Sequence, residues 1–236
     1  MKLAHLTIAA VFASAPALAA LPRNPPLPPP RPKFETPPAP KPVAPPAETQ
    51  TRAPEAAPLA CAAIEDGRVL GVSLPAIPGD GGCGIASPVR INGVKLKSGV
   101  KLKLTPDAIL NCDMAGVVAD FLDEEVARIE KTGDGKIVEV QHAGAYECRG
   151  QNRVVGAKLS EHALGNAIDL RAFKFANGRS ITIGTDKSPA WPGLKTAACD
   201  RFKTVLGPGS DPSHKDHLHL DLRARKSTTI CQWTLD

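Results

Sequence analysis

The sequence predicts an α+β domain over residues 59–236, on three observations. One long segment carries apolar residues at helical spacing. Several short segments alternate polar and apolar residues around turn signals, and all six cysteines lie in the same stretch. Helices mixed with short, hairpin-joined strands indicate an α+β arrangement.

Ahead of that domain the composition shifts. Residues 1–20 read as a secretory signal: Lys2 opens it, residues 3–18 are a short Ala-rich apolar stretch, and Ala17-Leu18-Ala19 is a small-x-small cleavage site. Cleavage is expected near Ala19/Ala20, and a periplasmic or secreted location with it. The rival reading is an uncleaved N-terminal anchor. Residues 21–58 hold 15 of the 24 prolines and almost no large apolar side chains. Such a segment cannot bury enough surface to offset the cost of ordering it, so a disordered linker is predicted. Proline stiffens it toward polyproline II, with a reach of up to roughly 120 Å. It reads as a spacer, or alternatively as a docking tract for a periplasmic or envelope partner.

Net charge is +5, of which residues 1–58 carry +3 (six Lys/Arg against three Asp/Glu), leaving +2 on the domain. Both signs are interspersed there, so nucleic acid is not an expected partner. No run of 18 apolar residues follows the leader, and no internal membrane span is predicted.

Thr105-Pro106-Asp107 predicts a helix start, with Thr as N-cap, Pro at the first helical position and an acid in the first turn. Leu110, Met114, Val117, Phe121, Leu122, Val126 and Ile129 continue it at intervals that make a core stripe, and Gly133 follows its end. Residues 137–142 and 146–149 read as two short strands around Ala143-Gly144. Residues 169–175 and 180–183, joined through Asn177-Gly178, form a strong hairpin signal. Residues 194–206 read as a helix stopped by Gly207-Pro208, and residues 217–222 as a closing strand.

Cys61, Cys83, Cys112, Cys148, Cys199 and Cys231 are an even set in an exported chain, which predicts structural disulfides, up to three. A Cys-rich zinc site is the rival, but no Cys-x-x-Cys pair exists to build one. Spacing does not select among the 15 pairings that six cysteines allow.

Four of the six histidines fall in two clusters, residues 160–169 (Ser-Glu-His-Ala-Leu-Gly-Asn-Ala-Ile-Asp) and residues 214–221 (His-Lys-Asp-His-Leu-His-Leu-Asp). Side chains alternate along a strand, so His217, His219 and Asp221 project from one face while Leu218, Leu220 and Leu222 enter the core. Asp169, between the apolar Ile168 and Leu170, is placed on a polar face in the same way. If the two strands are neighbours, the carboxylate and the histidines share that face, and the turn at Gly165-Asn166 can bring His162 over it. Two imidazoles and one carboxylate make a common catalytic zinc set with a fourth position open for water. The metal lowers that water's pKa and polarises a carbonyl, and a further histidine can move protons. His5 lies in the leader, and His142 reads as a satisfied surface or core histidine.

These residues resemble the LAS-type zinc peptidases, the superfamily of D-Ala-D-Ala carboxypeptidases and peptidoglycan endopeptidases that includes the hedgehog signalling domain. The first motif, Ser-x-His-x(6)-Asp, stands here as Ser160, His162 and Asp169; the second ends in His217-Leu218-His219. The wider spacing His214-x-x-His217-x-His219 is most similar to the penicillin-insensitive murein endopeptidases. Cys148-Arg149, the whole 160–169 segment and Val205-Leu206-Gly207-Pro208, with the proline-rich lead, resemble the bacterial extensin-like C-terminal domain family over about residues 59–233. Plant extensins share only the proline richness, since this chain has a single tyrosine, Tyr146.

The resemblance implies a LAS-type fold, an antiparallel sheet flanked by helices, and one Zn2+ held by His162, Asp169 and His219. It implies His217 as general base and acid, His214 as an assistant to the base or a substrate-positioning group, and Arg149 as partner of a substrate carboxylate or the developing oxyanion. Ser160 and Asp221 would orient ligand imidazoles, with capping or surface roles as alternatives, and Glu161 reads as a helix-start residue. Many carboxypeptidase members place Glu three residues before the last His ligand, where this chain has Asp216. The implied function is a periplasmic zinc peptidase, endopeptidase or carboxypeptidase, acting on peptidoglycan stem peptides. The alternatives are a non-catalytic wall-binding or structural module that retains a metal site, and an unrelated metal-dependent hydrolase.

Overall fold

Alternation with a period of two marks the long strands early in the domain. Lys101-Leu102-Lys103-Leu104 is the clearest case: both leucines are buried and both lysines are exposed. The computed structural model describes residues 57–235, except 155, 227 and 228. The expected leader, its cleavage site, His5 and nearly all of the proline-rich segment lie outside the described residues.

A short helix α1 (Ala62–Glu65) leads into β1 (Val69–Ser73), a two-stranded ribbon β2 (Ile77–Pro78) and β3 (Gly84–Ile85), then β4 (Pro88–Lys95) and β5 (Lys101–Asn111). Helix α2 (Cys112–Ile129) follows, then β6 (Ile137–Gly144), β7 (Ala167–Phe175), β8 (Ser180–Thr182), helix α3 (Trp191–Arg201), β9 (Thr204–Leu206), β10 (Leu218–Asp221) and β11 (Ile230–Gln232). Nine strands form one mixed sheet in the order β1-β4-β5-β6-β7-β10-β9-β11, with β8 paired to β7. The architecture is therefore mixed α/β, a large sheet flanked by few helices.

The wholly antiparallel sheet is corrected, because β5 and β6 run parallel, as do β9 and β11. Parallel neighbours need a crossover. Helix α2 supplies it between β5 and β6, burying Met114, Ala115, Val118, Phe121, Leu122, Val126 and Ile129 in the core.

The expected helix start at Thr105 is also corrected. Thr105 and Pro106 lie inside β5, and Asn111 caps α2, its side chain accepting from Met114 N at 2.7 Å. Strand β5 pairs with β4 through residues 101–103 and 108–111 and with β6 through 103–105, so Pro106 falls where neither ladder needs its missing N–H. A Thr-Pro-Asp triplet serves a helix start or a gap in a ladder equally well, and only the partners decide.

Residues 146–149 are extended but form no strand. Tyr146 N bonds Ile109 O and Glu147 N bonds His162 O, while Cys148 is drawn to Cys83. The helix expected over 194–206 begins three residues earlier and ends at Arg201, with residues 204–206 paired between β10 and β11. Phe202 breaks it: its backbone is extended, and its ring meets Phe121 edge-on at 5.2 Å in the core. Burying a ring of that size contributes about 1.5–3 kcal/mol, more than the last helical turn offers. The hairpin at Asn177-Gly178 stands as the sequence indicates.

All six cysteines are paired, Cys61–Cys112, Cys83–Cys148 and Cys199–Cys231, each with Cα atoms 5.6 Å apart. They tie α1 to α2, the β2–β3 ribbon to the segment after β6, and α3 to β11.

Candidate metal centre

The centre begins with strand register. Strands β7 and β10 are antiparallel neighbours with Asp169 opposite His219, so two polar side chains meet on one face. Their neighbours Ile168, Leu170, Leu218 and Leu220 fill the core. Just before β7 the chain makes a short helical turn, residues 161–164, whose start Ser160 caps by accepting from His162 N at 3.4 Å. Gly165 closes the turn at φ +62°, and a Cβ there would overlap Ile85 and come within 2.8 Å of Asn111 N. That turn swings His162 onto the face of Asp169 and His219.

Three atoms then converge. His162 Nε2 lies 3.1 Å from Asp169 Oδ1 and 3.0 Å from His219 Nδ1, and His219 Nδ1 lies 3.1 Å from Asp169 Oδ1. The far nitrogen of each ring is already committed. His162 Nδ1 donates to Ala145 O at 2.6 Å, and His219 Nε2 donates to Asp221 Oδ2 at 3.1 Å. Both inner nitrogens therefore turn lone pairs toward a carboxylate oxygen, an arrangement relieved only by a shared proton or a cation. Tetrahedral ligands at 2.0–2.1 Å stand about 3.3 Å apart, close to the separations found here. Donor types, spacing and outer partners fit a divalent ion such as zinc.

Without the ion a proton takes its place. Burial opposes charge on His219, but Asp169 and Asp221 outweigh it and the imidazole is pushed up to about 9. Burial also works against charge on Asp169, yet its contacts with His162 and His219 hold its carboxyl well below the usual range.

The other histidines flank this cluster. His217 Nε2 is 3.7 Å from Asp169 Oδ1, and its Nδ1 is 3.1 Å from Asp216 Oδ1. Asp216 is 3.3 Å from Arg171 Nη2, and the His217 hydrogen bond draws its carboxyl below the ordinary value. The His214 ring stands 5.3 Å from that of His217 and 5.7 Å from that of His219. Its Nδ1 lies 2.8 Å from Asp211 Oδ2, and burial pushes its pKa down.

All four line one cavity of about 670 Å3, together with Arg149, Ser160, Glu161, Asp169 and Asp221. Arg149 stands on its wall, with Nε 3.0 Å from Glu147 Oε2. Ser160 caps the turn through the His162 backbone, whereas Asp221 bonds the His219 ring. Glu161 opens the turn, accepting from Asn166 Nδ2 at 2.6 Å. His142 is buried outside the cavity wall, its Nε2 2.8 Å from Pro106 O.

Sequence reasoning passed over Asp211 and noted Asp216 only as a departure from the carboxypeptidase pattern, although an acid one to three residues before a histidine was a usable signal of an orienting partner. It had no signal for Ala145, which acts through a carbonyl. Gly144 was also missed. A Cβ there would stand 2.6 Å from Asp169 Oδ2, so the end of β6 must be bare to let that carboxylate sit.

These features define a disulfide-bonded mixed α/β domain with a His-Asp-His cluster buried at the floor of a polar cavity. The chain belongs to the family described as extensin-like protein C-terminus, whose model matches residues 60–232. No curated protein and no solved structure matches it.

Proposed function

We propose that this domain is a zinc-dependent peptidase of LAS type that cleaves peptidoglycan stem peptides in the periplasm, carried there by the leader and given reach by the proline-rich segment. The observation that carries the reading is the convergence of His162 Nε2, His219 Nδ1 and Asp169 Oδ1 at 3.0–3.1 Å, with both outer ring nitrogens already donating. A zinc ion held there supplies Lewis acidity, lowering the pKa of water toward about 7 and polarising an amide carbonyl.

The remaining chemistry belongs to the chain. His217 donates through Nδ1 to Asp216, which leaves the Nε2 lone pair on the side of Asp169, where it can take a proton from the attacking water. The imidazolium so formed is stabilised by the ionised Asp216 and returns its proton to the leaving amine. Asp216 thus serves as an orienting partner for the base, a role compatible with its standing where many carboxypeptidases have Glu. His214 is kept neutral by burial and fixed by Asp211, and it positions the substrate by hydrogen bonding. Arg149, steadied by Glu147, holds a substrate carboxylate or the developing oxyanion.

Digestion of purified sacculi tests this directly. The wild-type chain should release muropeptides that the His219→Ala chain does not. Identical profiles from the two proteins would end the catalytic reading and favour a wall-binding module.

A further inference from the structure

Positive charge around the cavity is incompletely balanced. Arg149, Arg153, Lys158, Arg223 and Arg225 all line it. Arg149 and Arg153 share Glu147, and Arg223 Nε lies 3.3 Å from Glu161 Oε1. Among the described residues, Lys158 and Arg225 have no carboxylate partner.

Arg225 is the better placed of the two. Its Nη2 donates to Thr204 Oγ1 at 2.7 Å, which holds the guanidinium, while its Nε is buried without a hydrogen-bond partner and Nη1 has none among the described residues. Thr204 stands opposite Asp221 in the β9–β10 register, so its side chain shares a sheet face with the carboxylate that holds His219. Arg225 is thus braced on the strand next to the one that carries His219.

Sheet order gives the direction. The strands bearing Asp169 and His219 lie between β6, from which the chain runs on to Arg149, and β9, on which Arg225 is braced. Neighbouring strands are about 4.8 Å apart, so Thr204 is one strand beyond His219, on the side away from β6. A fixed, unpaired guanidinium in that position matches a carboxylate in charge and in planar geometry.

We propose that Arg225 is a specificity-determining residue: it receives a substrate carboxylate on the β9 side of the His162–Asp169–His219 cluster, so the cavity selects peptides that are negatively charged there. The inference rests on the peptidase reading for the kind of ligand, but not for its charge.

The test uses the zinc-loaded full-length chain and cross-linked muropeptide dimers whose diaminopimelate carboxylates are either free or amidated. Binding is read by calorimetry in a His217→Ala background, where cleavage is removed. The free-acid dimer should bind at least about tenfold tighter than the amide, as a charge-assisted contact predicts. Arg225→Gln should bind both dimers alike, at the amide's affinity and with zinc affinity unchanged, while Arg225→Lys should keep part of the preference. Free acid that binds no tighter than amide, including no binding of either, overturns the proposal. So does a preference that survives Arg225→Gln, or a loss of zinc in that variant, which would make Arg225 a brace for His219. Cleavage is followed separately with His217 in place. Selective binding without cleavage ends the peptidase reading and leaves this one standing; cleavage without selectivity does the reverse.

Discussion

One imidazole in this domain is held between two carboxylates. His219 sits between Asp169 and Asp221, and its outer nitrogen is fixed by the second of them. Asp221→Ala should therefore leave the ring free to turn and weaken zinc binding by about 10- to 100-fold, read by competition with a chromophoric chelator. An unchanged affinity would mean that packing alone orients the ring. The same imidazole sets a pH dependence once metal is stripped. Its pKa rises from the ordinary 6.5 to about 9 on folding, so its contribution to stability is fully present below pH 6.5 and is lost as pH rises through about 9. His142 and His214, lowered by burial, act in the opposite sense and below pH 6.5, so the window above isolates His219. Urea midpoints of chelator-treated protein should fall between pH 6.5 and 9; a flat profile would remove the proton from this account.

Among the elements, strand ends do the positioning. Strand β6 finishes at Gly144, whose missing Cβ makes room for the Asp169 carboxylate, and the next carbonyl, Ala145 O, accepts the hydrogen bond from His162 Nδ1. Gly144→Ala should displace that carboxylate while sparing the core. Zinc affinity is expected to fall by at least about tenfold, with little change in thermal midpoint. A large loss of stability with zinc binding intact would assign Gly144 to the fold instead. The elements also show where local signals are sufficient. Strand β10 was legible because His-Leu-His-Leu-Asp alternates without interruption, and the Asn177-Gly178 hairpin because a tight primed turn favours those two residues. Helix α2 was legible in its stripe but not in its start, since Thr-Pro-Asp has two good uses. Residues 204–206 were drawn into the preceding helix because Phe202 leaves it for a tertiary reason, contact with Phe121.

Taken whole, the domain is cross-linked around its working end. Cys83–Cys148 closes a separation of 65 residues, and Cys148 immediately precedes Arg149 on the cavity wall. Loop-closure entropy assigns roughly 4 kcal/mol to such a bridge. Replacing both cysteines by serine should lower unfolding stability in guanidinium by an amount of that order, and a change under about 1 kcal/mol would show that the ribbon and the loop are held by other contacts. The proposed export accords with these bridges, because disulfides persist in an oxidising compartment.

By itself the sequence determined that there is a domain after a proline-rich lead, that its cysteines are paired, and which histidines and aspartates project from the polar face of their own strand. All of these follow from composition or from short-range periodicity. Only the tertiary structure decided which cysteines pair, that β5 and β6 run parallel, and that Asp169 stands opposite His219. The roles of Gly144, Ala145, Asp216 and Arg225 belong there as well. The physical reason is common to all of them: each depends on a partner distant in sequence or on a backbone atom, and neither leaves a mark in local residue spacing.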